Sequence, residues 1–260
     1  MITLIDHPVA LFFVAFTSLL AVVELGYRLA SWTLANADEE RHEQIVAART
    51  GIEILLSLLL GFTLPMSLPN YELRKHLVID EANAIGTTSL RAQMLPEPAR
   101  GEIIGLLREY VDARMDFSKG GPDARNLQAS FTHAKQLQNE IWRHGVAAAQ
   151  QSNSPLTAAF VQALNESIDL SEKRLAALEN RIPRSIWWML ALISMLTCLL
   201  VGYSMRRRFF LVMLVSPLMI AIVMGLIADL DSPRSGLIRV SQQSMERLQM
   251  DLKGGTAESK

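Results

Sequence analysis

The chain has one cysteine, Cys198, so no intrachain disulfide can form and its redox compartment stays open. It also lacks an excess of either charge. With 25 Lys and Arg against 26 Asp and Glu, nothing in the balance points to nucleic acid or to an acidic ligand. Phosphate loop, dinucleotide fingerprint and nucleophile elbow are all missing. The five histidines, His7, His42, His76, His133 and His144, are scattered; His42-Glu43 begins a zincin-like motif, but Val46 stands where a second ligand would be needed. Neither an enzyme, a metal site nor a cofactor is expected. No strand alternation and no repeat of fixed period is visible either.

What the chain has is length without charge. Leu11 to Leu25, Ile52 to Leu68, Ile186 to Tyr203 and Phe209 to Ala228 are apolar runs near the about 20 residues that carry a helix across a hydrocarbon core. Backbone amides cannot go unpaired in lipid, so each run is read as a transmembrane helix. The residues before the first run, Met1 to Pro8, include no Lys or Arg, and a small-residue cleavage site is also missing. The run is therefore read as a retained helix, not a signal peptide.

Between the second and third runs the breakers divide a polar region into four helices. Pro65 and Pro69 mark a bend on leaving the membrane, Pro96 and Pro98 end one helix and start the next, Gly120-Gly121-Pro122 breaks that one, and Ser154-Pro155 reads as an N-cap with proline after it. Apolar stripes agree: Leu73, Leu77 and Ile85 with Asp80 or Glu81; Ile103, Leu107, Tyr110 and Val111; Leu127, Phe131 and Ala134; Leu156, Phe160, Leu164 and Ile168. Such stripes bury one another in a bundle. The expected architecture is all-α: transmembrane helices in 1–68, an extramembrane helical bundle in 69–185, transmembrane helices in 186–228, and a turn, short helix and disordered tail in 229–260.

Orientation rests on basic residues. The short loops hold Arg28, Arg41, Arg49 and Arg206-Arg207-Arg208, and the rule that such loops stay cytoplasmic favours a bundle outside. Arg74, Lys75, Arg181, Arg184, Arg234 and Arg239 pull the other way.

Three places carry candidate chemistry. Glu53, one turn inside its span, either snorkels onto the positive helix end or attracts cations at a pore mouth. Asp80, Glu81, Asn83, Thr87 and Thr88 lie on the helix leaving span two among small residues, suited to a tight helix contact or to a pore or ligand face. Asp229 and Asp231 end the fourth run, where a carboxylate is unfavourable unless paired. Arg234 or Arg239 is the expected partner, with a cation site as the alternative.

Longer stretches resemble a known family. Leu59-Leu60-Gly61-Phe62-Thr63, Asp80 through Thr88, Leu95-Pro96-Glu97-Pro98, Leu107 through Arg114 and Asp229 through Val240 together are similar to the bacterial bestrophin-like membrane proteins. The segment Ser57-Leu58-Leu59-Leu60-Gly61-Phe62 is similar to the neck of the bestrophins, pentameric anion channels. That resemblance implies a neck at Ile54, Leu58 and Phe62, and a bundle in the cytoplasm, against the charge rule. The chain lacks the tryptophan-rich segment of the animal proteins, and two aspartates are too few for their calcium clasp.

Together these readings give a multi-pass protein of the bacterial inner (plasma) membrane, whose partners are the lipid bilayer, small ions and further copies of itself, a pentamer if the bestrophin resemblance holds. The expected function is an oligomeric ion channel. The alternative is a non-conducting membrane scaffold or sensor whose helical domain binds a protein or small ligand.

Overall fold

The computed structural model describes residues 4–33, 39–119, 124–152, 154–233 and 235–254. All its regular structure among them is helical. A short 3-10 turn, Leu4–Asp6, precedes α1 (Pro8–Thr33), α2 (Glu39–Ala92), α3 (Ala99–Lys119), α4 (Ala124–Gln151), α5 (Pro155–Glu179), α6 (Arg184–Tyr203), α7 (Phe210–Asp231) and α8 (Gln243–Gly254). Four helical stretches are long and apolar enough to cross a membrane, within Pro8–Thr33, Glu39–Ala92, Pro155–Tyr203 and Met213–Asp231. These helices form two compact units, residues 1–71 with 181–238, and residues 72–180 with 239–260.

In the first unit α1 packs on α6 and α7. Leu19, Val23, Trp187, Leu190, Val201, Met224 and Ile227 make its core, with Leu56 contributed by α2. Glycine decides how close two of these helices come: Gly26 and Gly202 lie where a β-carbon would run into the facing backbone. Small residues at such a crossing let helices approach in a medium that supplies little hydrophobic drive.

In the second unit the later part of α2 packs with α3, α4, α5 and α8. Ile85, Ile103, Leu107, Tyr110, Val111, Ile141, Phe160 and Leu164 fill its core, joined by Met245 and Leu248 of α8. Ser154 caps α5, its side chain accepting from the Thr157 amide at 3.2 Å, with Pro155 in the first turn. Two stripe residues face outward instead: Leu73 and Leu156 are exposed. Leu127 has no described side chain, and residues 120–123 and 255–260, including the expected glycine break and most of the expected tail, lie outside the described residues.

Helix α2 runs unbroken through Pro65 and Pro69, the positions of the expected bend. It also begins at Glu39, well before the apolar run. A membrane helix tolerates proline because neighbouring groups take over the freed carbonyls.

Candidate functional site

The second span has two faces. Leu56, Thr63 and Ser67 are buried against the first unit, while Ile54, Leu58 and Phe62 are 64, 54 and 64% exposed. Four-residue spacing puts the second set along one helix face, and at about 100° per residue it points away from the first. Thr63 and Ser67 close their hydroxyls onto the helix itself, at the Leu59 and Leu64 carbonyls, so their polarity stays internal. Gly61 sees open space. Glu53 accepts from Arg49 Nε at 2.7 Å, and Arg49 also donates to the Ser204 hydroxyl at 3.2 Å. The carboxylate thus has a cation one turn back.

In the second unit, the candidates from α2 separate by face. Asp80, Asn83 and Thr87 are exposed; Glu81 and Thr88 are fully buried. Thr88 donates to the Ala84 carbonyl at 2.8 Å, which satisfies its hydroxyl within the helix. Glu81 anchors a polar network. Its Oε1 lies 2.8 Å from Arg114 Nε, and its Oε2 accepts from Arg114 at 3.0 Å and from Arg174 at 2.6 Å. Arg174 also donates to Gln242 at 2.8 Å, and Gln138 donates to Tyr110 at 2.9 Å and to Ser171 at 2.6 Å. Burial by itself would raise the Glu81 carboxyl pKa, but the fields and hydrogen bonds of Arg114 and Arg174 outweigh it and hold the group below the usual carboxylate range. Burial and the Glu81 charge push the Tyr110 hydroxyl well above its ordinary value, so it stays protonated.

Arg114 and Arg174 carry no role in the sequence reading. A signal was present: each continues an apolar stripe, Ile103–Leu107–Val111–Arg114 and Phe160–Leu164–Ser171–Arg174. A charge in register with a buried stripe must find a partner, because arginine is almost never fully buried alone.

The turn after α7 draws on main-chain donors. Asp229 accepts from the Leu237 and Ile238 amides at 2.8 and 3.0 Å, and Asp231 from the Ile182 amide at 3.0 Å. Main-chain donors serve Asp229, where the sequence suggested a guanidinium. Gly236 takes a φ of 120° with the Asp229 carboxylate against it, a conformation that favours glycine. Ser235 donates to the Asp6 carbonyl, and Asp6 pairs with Arg181. Asp231 and Arg239 each make a further interaction, and Arg234 lies outside the described residues. Among the described residues no group of three or more His, Cys, Asp or Glu could hold a metal ion.

Residues 11–245 match the family described as Bestrophin-like domain. The chain belongs to the bestrophin-like family. Its fold is also that of solved structures titled as a bacterial bestrophin homolog from Klebsiella pneumoniae. A leucine-to-threonine variant is 15% identical, with 94% of this chain and 99% of that one covered at a TM-score of 0.66. A zinc-phased structure is 14% identical over 93% and 98%, also at 0.66, and a tryptophan-to-alanine variant is 16% identical over 92% and 97%, at 0.67. No curated protein sequence matches the chain. Family and apolar helices together make this bestrophin-like chain a multi-pass membrane protein.

Proposed function

We propose that this bestrophin-like protein is an oligomeric ion channel of the bacterial inner membrane, with Ile54, Leu58 and Phe62 of each copy forming an apolar neck around a common axis. The observation that carries the reading is the bareness of α2. Only 6% of its apolar window is buried within the chain, against 50% for the last span, so the helix must be covered from outside by lipid or by other copies. Lipid alone would explain apolar exposure. Family membership supports the second cover, a ring of copies with α2 towards the axis.

Apolar rings of this kind gate by dewetting, and a channel needs a lined path with no catalytic group. Glu53, one helical position before Ile54, sits at the mouth of that neck with Arg49 beside it. Asp80, Asn83 and Thr87 supply polar contacts from the exposed face of their own part of α2. Glu81, held by two arginines, serves the fold.

Purified protein in vesicles, assayed for chloride and for potassium flux, tests the reading. Leu58→Ala or Phe62→Ala should widen the neck and raise flux, while Leu192→Ala, exposed on α6, should leave it unchanged. Absence of flux from the parent and from both neck variants, in folded and inserted protein, would sink the channel and favour the scaffold.

A further inference from the structure

A cavity of about 320 Å³ lies between the start of α1 and the end of α7, lined by Val9, Phe12, Ile222, Gly225, Leu226 and Leu237, with Pro8 and Asp229 at its edge. We propose that it holds one acyl chain of a bilayer phospholipid, bound in place and not merely passing in the surrounding lipid. Val9, Phe12, Ile222, Gly225 and Leu226 belong to stretches long and apolar enough to span a membrane, so hydrocarbon reaches this part of the groove. Its lining is almost wholly apolar, and its one charged wall is already satisfied, because the Asp229 carboxylate is turned to the Leu237 and Ile238 amides.

The same two hydrogen bonds hold Leu237 at the lip of the groove, 85% exposed. A leucine fixed in that position by a buried carboxylate and a positive-φ glycine costs free energy in water; against an acyl chain it does not. Gly225 supplies the depth. A β-carbon there would meet Phe12 Cβ at 3.4 Å, so a larger side chain has to grow into the groove. The groove lies beside the polar turn containing Asp6, Arg181 and Ser235, at helix ends, where a headgroup sits. An acyl chain in this groove therefore enters with its headgroup at that end.

The test uses the full chain in phosphatidylethanolamine and phosphatidylglycerol vesicles doped with a phospholipid carrying a diazirine on one acyl chain. After illumination, peptides containing Phe12 and Leu226 should be labelled severalfold above the α6 peptide containing Leu192, which is exposed and does not line this groove. Gly225→Leu should remove that excess and leave Leu192 labelling unchanged. Where Gly225→Leu fails to insert, Leu237→Ser is the variant read, and it should lower the excess in the same direction.

Even labelling of all three peptides, or an excess that survives both variants, would overturn the site. Labelling by a diazirine fatty acid but not by the phospholipid overturns the assigned source. A disulfide between copies formed by Leu237→Cys in a Cys198→Ala background, together with absent lipid labelling, would assign the groove to a neighbouring copy and equally overturn the proposal. None of these readouts depends on ion flux, so the site stands or falls separately from the channel.

Discussion

Gly26 on α1 and Gly202 on α6 meet backbone to backbone: a β-carbon on the first would collide with the Leu199 carbonyl, and one on the second with the Val23 carbonyl. Each helix therefore rests on the other's main chain. Gly26→Ala or Gly202→Ala should force the pair apart and lower thermal stability in detergent by about 1–3 kcal/mol, the usual penalty of overpacking. The double variant should cost less than the sum, since the first methyl has already spread the helices. Strict additivity would show that the two glycines do not share one crossing.

Glu81 lies between two cations with no access to water. Glu81→Gln keeps the shape but leaves Arg114 and Arg174 buried without a counter-charge, and should destabilise the second unit by roughly 3–5 kcal/mol. Hydrogen exchange resolved along α3 and α5 is the measurement. Protection equal to the parent in both helices would remove the network from the account of stability.

The same carboxylate sets an acid limit. Its pKa is lowered in the fold, so its contribution is fully present above the unfolded glutamate value, about 4.3, and is lost as pH falls through the lower folded value. The parent's second unit should lose exchange protection below that pH, and Glu81→Gln should flatten this part of the pH dependence. A variant that falls as steeply as the parent would point to other carboxylates.

The turn after α7 gives a sharper contrast. Asp229→Ala leaves the Leu237 and Ile238 amides without their acceptor, at about 1 kcal/mol for each hydrogen bond lost, since both are only part-buried. Gly236→Ala should loosen the same segment by another route, because the new methyl meets both an unfavourable φ and the Asp229 carboxylate. Limited proteolysis between Ser232 and Ile238 reads both. Resistance unchanged in Asp229→Ala would mean that the carboxylate does not hold the turn.

Much of the fold is legible in residue order because lipid allows few solutions: an apolar run of span length has to be a helix. Ile103, Leu107, Tyr110 and Val111 give the buried face of α3 for the equally simple reason that their spacing is helical. Exceptions arise where a distant partner overrides a local signal. Asp229 calls for a positive charge by its place at a helix end, but the chain folds back and offers two amides eight and nine residues later; no spacing rule announces a backbone donor. The Glu81 pairing joins residues 33 and 93 positions apart, beyond the reach of any periodicity. Which of Asp80 to Thr88 faces out was a matter of register: Glu81 and Thr88 follow Leu77 and Ile85 inward, and the polar residues between them do not.

Helix α8 has a consequence for biosynthesis. Met245 is fully buried in the second unit's core, Leu248 nearly so, and Gln242, just ahead of the helix, occupies Arg174. All three are translated after the fourth span. Proteins tend to fold from the amino terminus as they are made, but this core cannot close until the last membrane helix has left the ribosome. Until then Phe160, Leu164 and their neighbours share a core that lacks the residues of α8.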